Sequence, residues 1–308
     1  EVGKRSNGDI NVEVYANSSL MKTNAQFSAL RKGALDASFF PLPYAGGEAP
    51  ETNIGLMPSL VNSYDQGLSW SQLLCGTFGA FGIIADATLK LHALPRQTAT
   101  GLVATDCAAD AIDLLVSLEA ELGDFLSAFE GISRNALSAV LRHGVQSPFA
   151  EVPAYAVLLE LATTIPVGQG VDVELLLTDW LERHFAEGRI KDGVVGKPEQ
   201  LWRIRHSISE AVQGSGRMVA FDIAVPRSGF AEFREKAVHL VEQAVQGAVV
   251  YDFGHLGDGG VHLNVVVPRQ ASDTSIGTLR DAVYALTVDG FGGSFSAEHG
   301  IGPYNHRW

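Results

Sequence analysis

The stretch YDFGHLGDGGVHLNVVVP, residues 251–268, consists of two β-rich runs on either side of a glycine-rich turn. Asp258-Gly259 is a favoured pair for a two-residue hairpin turn, and the flanks 249–255 and 261–267 carry the β-branched and aromatic residues of strands. Centring the turn there sets Gly257 opposite Gly260, Leu256 opposite Val261 and His255 opposite His262. Directly opposed residues share a face with Cβ atoms about 4.5 to 5.5 Å apart, so the two imidazoles can converge on one ion or pack as a ring pair. Asn264, two residues beyond His262, falls on the same face.

Working outward, the chain alternates strand and helix patterns. Strands are expected at 100–105, 125–129, 155–162 and 218–225, and helices at 108–122, 135–143, 171–187, 198–212 and 230–245. Helices placed between strands that need not be parallel predict an α+β fold, an antiparallel sheet with helices on one face. No internal repeat, low-complexity tract or charge block is evident.

Beyond the hairpin, GGSFSAEHGIG (residues 292–302) puts Glu298 and His299 side by side in a turn bracketed by glycines. Such a turn can aim side chains into a cleft, or it can be an ordinary surface loop. Two histidines and one carboxylate would leave coordination positions open on a divalent ion, as catalytic metal sites do. Upstream, CGTFGAFGIIADATLKLHALP (residues 75–95) spaces Gly76, Gly79 and Gly82 by three ahead of an apolar strand containing Ile83 and Ile84. Glycines so placed let backbone approach a flat or anionic ligand, or simply form a tight turn.

A formal charge of -13 over 308 residues, with no Lys/Arg cluster, argues against a nucleic-acid partner. Cys75 and Cys107 have neither metal-binding nor redox spacing. No apolar run is long enough to span a membrane, and both ends read as cut, with no leader before Glu1 and no closing helix after Gly302.

Together these motifs resemble the C-terminal half of flavin-linked oxidases of the vanillyl-alcohol oxidase type, in the D-lactate, D-2-hydroxyglutarate and glycolate dehydrogenase group. The resemblance covers about residues 73–308 and implies a ferredoxin-like antiparallel sheet at 99–308, preceded by the tail of a FAD-binding domain at 73–98. It further implies that His255, His262 and Glu298 hold a zinc or manganese ion, that Asn264 contacts substrate and that His299 is the base. Arg205, in LWRIRHSISEA (residues 201–211), would pair with the substrate carboxylate, and Gly76, Gly79, Gly82, Ile83 and Ile84 would touch FAD. The implied reaction is oxidation of a D-2-hydroxy acid by metal-assisted hydride transfer to FAD, with a separate electron acceptor.

Two departures qualify that picture. Gly260 stands where the family usually has Asn, and the cation often found just before the strand VAFDIAVP (residues 219–226) is missing or is replaced, for example by Arg217. The substrate is therefore not necessarily a simple dicarboxylate. Residues 1–72 instead resemble the N-terminal lobe of solute receptors of tripartite periplasmic transporters, on INVEVYANSSL, QFSALRKGALDASFF and LMPSLVNSYDQG (residues 10–20, 26–40 and 56–67). A small α/β segment is expected there, and the arginine with which such receptors grip ligand has no counterpart beyond Ser71. Weak or no flavin retention is expected of this chain alone, whether the junction is a true fusion or joins two reading frames. A periplasmic carboxylate receptor and a metal-dependent hydrolase are the alternative functions. The longer segment favours the cytoplasm or the inner membrane face, the shorter one the periplasm; oligomeric state is left open.

Overall fold

The computed structural model describes residues 91–299, together with Ala29 and Lys32. The α/β segment expected over residues 1–72, the glycines Gly76, Gly79 and Gly82, the Ile83-Ile84 strand and residues 300–308 lie outside the described residues. Chain contacts separate Glu1–Ala87 from Thr88–Trp308, and the sheet and its helices belong to the second of these units.

In chain order its elements are β1 (Gln97–Thr105), α1 (Ala108–Leu122), β2 (Leu126–Ser133), α2 (Arg134–Arg142), β3 (Tyr155–Thr163), α3 (Val173–Ala186), β4 (Asp192–Gly196), α4 (Pro198–His206), α5 (Ile208–Gln213), β5 (Arg217–Ala224), α6 (Phe230–Ala244), β6 (Val249–His255), β7 (Gly260–Val267) and α7 (Asp273–Ala285). The strands form one antiparallel sheet in the order β4-β1-β3-β2-β6-β7-β5. The α+β antiparallel class read from the sequence is therefore present.

The order contains a repeat that the sequence does not announce. The run β1-α1-β2-β3-α3-β4 gives the ferredoxin-like order β4-β1-β3-β2, and β5-α6-β6-β7-α7 repeats its first five elements in the order β5-β7-β6. The halves join where β2 pairs β6, through Glu130↔His255 and Ile132↔Phe253. In the second half, the place of a fourth strand beside β5 is occupied by residues 294–297. Ala224 and Ser294 exchange backbone hydrogen bonds of 3.0 and 2.8 Å, and the Ala297 amide donates to the Asp222 carbonyl at 2.9 Å. This edge pairing delivers the following Glu298 and His299 to the end of β5.

Helices cover both faces of the sheet, not one. Val103, Val157 and Leu159 share a core with α1, α3, α6 and α7, whereas Leu102, Ala104, Ala156 and Leu158 share a second core with α2, α4 and α5. The reason is visible in β3, where YAVLL is buried at successive positions; strands covered on both sides read as continuous apolar runs. On the second face the outer strands turn polar. Phe253 and His255 of β6, His262 and Asn264 of β7, and Met218, Ala220 and Asp222 of β5 line a cavity there, flanked by α4 and α5.

Two elements escaped the sequence reading. β4 is five residues with a glycine at each of two positions and lies at the sheet edge, so it has neither length nor alternation. α7 begins on a Ser272 cap whose side chain accepts the Ser275 amide, but its Thr, Ser and Gly content is poor for a helix; burial of Ile276, Leu279 and Val283 overrides that propensity. The helix expected over 198–212 is interrupted at Ser207, giving α4 and α5.

The hairpin register also differs from expectation. His262 faces Phe253 and Asn264 faces Tyr251, and the connection takes residues 256–259 where a two-residue turn was expected. Gly254, at φ +147°, explains the shift: it bends the end of β6 so that His255 pairs with Glu130 of β2 and not with β7. A displacement of two residues preserves the face, so His255 and His262 remain neighbours. A Cβ at Gly254 would lie 2.9 Å from the Gly260 carbonyl oxygen and 3.1 Å from the Val261 Cα. Gly254→Ala is accordingly expected to destabilise the domain by about 2–3 kcal/mol in urea unfolding; a loss below about 0.5 kcal/mol, the range of an ordinary surface change, would contradict this account of the bend.

Candidate functional site

The cavity between the polar face of β6-β7-β5 and helices α4 and α5 has a volume of about 480 Å³. Arg205, Ser209 and Gln213 enter it from the helices, and Glu298 and His299 from the segment beside β5.

Asp222 organises one end. One of its carboxylate oxygens, Oδ2, accepts the consecutive backbone amides of Glu298 at 2.8 Å and His299 at 2.7 Å, which fixes the turn that presents those side chains. Its other oxygen, Oδ1, is buried without a hydrogen bond and stands 3.5 Å from Nδ1 of His262. A buried carboxylate oxygen left in that condition is costly unless a proton or cation faces it. Nε2 of His262 lies 3.6 Å from Glu298 Oε1, and Nε2 of His299 lies 3.4 Å from the same oxygen. Asp222, His262, Glu298 and His299 thus each offer a donor atom within 4.8 Å of one another. Ligands bound about 2.1 Å from one ion stand roughly 3–3.5 Å apart, so these separations suit a divalent cation with small side-chain adjustments.

His255 stands apart from that group but beside it. Its ring centroid is 5.8 Å from that of His262, and its Nδ1 is 3.0 Å from Oε1 of Glu130. Each histidine therefore has a carboxylate at Nδ1, Asp222 behind His262 and Glu130 behind His255, which leaves both Nε2 atoms for other partners. With a small movement that closes the 3.5 Å gap at His262 and aligns both contacts as hydrogen bonds, this would be the arrangement by which outer carboxylates orient metal-binding imidazoles. Burial first, and the charge of Arg205 second, hold His262 below the ordinary imidazole range, against the opposite pull of Asp222 and Glu298. The neutral ring, which is the metal-binding form, is thereby favoured.

Arg205 is fixed by the other oxygen of Glu130, to which its Nε donates at 2.7 Å, and its guanidinium lies 4.5 Å from the Phe253 ring centroid. Glu130 is 3% exposed. With Nε engaged, the terminal nitrogens are the part of the fork that suits a ligand carboxylate. Asn264, 5% exposed, lies along the cavity wall between Tyr251 and Ala220.

Of the residues singled out in the sequence, His255, His262, Asn264, Glu298, His299 and Arg205 all line this one cavity. Arg217 does not: it pairs with Asp273 and donates to the Ala271 carbonyl at the far end of β5. Gly76, Gly79, Gly82, Ile83 and Ile84 lie outside the described residues. Asp222 and Glu130 were missed as site residues. The available signal was an acid inside an apolar strand, Phe221-Asp222-Ile223 and Phe129-Glu130-Gly131-Ile132, where a carboxylate needs a partner.

The described residues thus form an antiparallel α+β domain with a histidine-carboxylate cavity on its open face. A family model for the C-terminal domain of FAD linked oxidases matches residues 94–308, and the chain belongs to that family. A model for bacterial extracellular solute-binding protein, family 7, matches residues 1–72. A D-2-hydroxyglutarate dehydrogenase of Xanthomonas citri pv. viticola is 32% identical over 265 residues, 83% of this chain and 53% of that protein. The mitochondrial D-2-hydroxyglutarate dehydrogenase of Bos taurus is 32% identical over 242 residues, 77% of this chain and 43% of that protein. A solute-binding protein of Albidiferax ferrireducens is 67% identical over 70 residues, 23% of this chain and 21% of its own. Among solved structures, an alkyldihydroxyacetonephosphate synthase superposes with a TM-score of 0.51 at 15% identity, covering 74% of this chain and 45% of its own, which shows the shared fold. The chain spans about half the length of the curated dehydrogenases it matches.

Proposed function

We propose that this domain is the substrate and metal half of an FAD-linked D-2-hydroxy-acid dehydrogenase, with His255, His262 and Glu298 as ligands of one zinc or manganese ion. The observation that carries this reading is the pair of carboxylates placed behind the two histidines, with the second oxygen of Asp222 left for His262 alone. Bound at these residues, the ion would supply a Lewis acid at the 2-hydroxyl, and FAD, whose proposed contacts lie outside the described residues, a two-electron acceptor for C2.

The chain's own residues do the rest. His299, ring-stacked on His262 at 5.6 Å and 67% exposed at its side chain, is free to approach a ligand and takes the hydroxyl proton. Arg205, held from behind by Glu130, fixes the substrate carboxylate and so the direction of the C2–H bond. Asn264 offers an amide to the same carboxylate or to the hydroxyl from the floor of the cavity.

Asp222→Asn removes the charge facing His262 while keeping the size of the side chain. It is expected to weaken Zn²⁺ or Mn²⁺ binding about 10- to 100-fold in competitive chelator titrations, the usual cost of losing an orienting outer group; unchanged affinity would show that Asp222 does not set the imidazole. The substrate reading is tested on the Mn²⁺-loaded chain by electron paramagnetic resonance. A D-2-hydroxy acid should alter the bound Mn²⁺ spectrum saturably and its L enantiomer should do so more weakly; an unaltered spectrum would contradict the assignment.

A further inference from the structure

Resting on that reading, a narrower substrate class can be read from the charges of the cavity. We propose that the site selects a 2-hydroxy acid with a single carboxylate and an uncharged side chain, received by the wall that Met218 and Ala220 of β5 form with Ser209 and Gln213 of α5.

Among the described residues lining the cavity, Arg205 is the one permanent cation. Its Nε is engaged by Glu130, at 2.7 Å in a pair whose side chains are 12% and 4% exposed, which leaves its terminal nitrogens for one carboxylate. A divalent ion at the histidines would in turn be matched by Asp222 and Glu298. A first substrate carboxylate uses the free end of the Arg205 fork, and among the described residues lining the cavity no second permanent cation is present for another. Placing an unmatched carboxylate in such a cavity is disfavoured by its desolvation.

The geometry of β5 shows where the second carboxylate would have to find its partner. Asp222, Ala220 and Met218 follow one another on the cavity face, each roughly 7 Å from the next along the strand. Moving away from the metal end, the wall is thus acidic, then a methyl group, then a thioether. Arg217, the next residue along, is turned to Asp273 and the Ala271 carbonyl. The small Ala220 beside Asn264 leaves room for a substrate side chain but offers it only van der Waals contact. Ser209 and Gln213, opposite on α5, are uncharged.

The Mn²⁺-loaded full chain is titrated with D-2-hydroxyisocaproate and with D-2-hydroxyglutarate, following the Mn²⁺ spectrum and the heat of binding. The monocarboxylate is expected to bind at least roughly tenfold more tightly, the scale set by one unmatched charge near a surface. Equal or tighter binding of the dicarboxylate overturns the inference while sustaining the 2-hydroxy-acid reading, and binding of neither overturns both. Ala220→Lys places an ammonium in the wall and should reverse the order of the two ligands, with Met218→Lys as a second variant further along the strand. If neither variant, folded by circular dichroism, moves the ratio of the two dissociation constants, the wall is wrongly placed.

Discussion

His262→Ala is expected to lower Zn²⁺ or Mn²⁺ affinity by at least about a hundredfold, more than any outer carboxylate should cost, because it removes a ligand and not its support. The ring stands at the centre of the site, 3.5 Å from Asp222, 3.6 Å from Glu298 and stacked on His299. Its environment, burial first, also favours the neutral form. Removing it strands the buried Asp222 oxygen, which has no hydrogen bond to fall back on. Isothermal titration with metal, alongside circular dichroism to confirm folding, checks the effect. Retention of metal affinity within about threefold would mean that the other donors suffice, and His262 would lose its assigned place.

Arg205→Met is expected to act on stability as well as on ligand binding. Glu130 is buried between Arg205 and His255, and breaking a buried pair by deleting one member leaves an uncompensated charge, at a cost of about 3–5 kcal/mol. His255, at 3.0 Å, can take up part of that charge, so the lower end of the range applies. The double variant Arg205→Met with Glu130→Gln should recover most of the loss in urea unfolding while still failing to bind a 2-hydroxy acid. If the single variant is as stable as the wild type, Glu130 is not the charge that Arg205 serves.

The difference between these two variants also separates what the sequence reveals from what it hides. The hairpin, the two histidines and the Glu298-His299 turn stand out because each combines a local pattern with residue types that chemistry uses. The elements around them are legible for the same reason: the helix 108–122 has the bounds expected from its periodicity, and most others agree within a few residues. What is not legible is pairing. The register of β6 on β7 depends on the unusual backbone of Gly254, which a favoured Asp-Gly turn conceals, and the tertiary partners of Asp222 and Glu130 lie 76 and 75 residues away from them in Glu298 and Arg205.

Coverage on both faces of the sheet was likewise concealed. A run such as YAVLL predicts a buried strand but not how many sides are buried, and the helices that cover the second face, α2, α4 and α5, are short. That second face is what makes the site. Helices cover it over β1, β3 and β2, and where they stop the sheet shows its polar residues to the cavity. The repeat of the ferredoxin-like order adds the last part: the segment carrying Glu298 occupies a strand position beside β5, which is why a glycine-bracketed loop can hold its side chains in register with β7.

The X-ray absorption spectrum of the zinc-loaded chain is the most direct test. Imidazoles 255 and 262 and carboxylate 298 should appear as two nitrogen ligands and at least one oxygen ligand at about 2.0–2.2 Å, with solvent completing the shell. A first shell containing no imidazole, or one unchanged when both histidines are replaced, would contradict the assignment of the site.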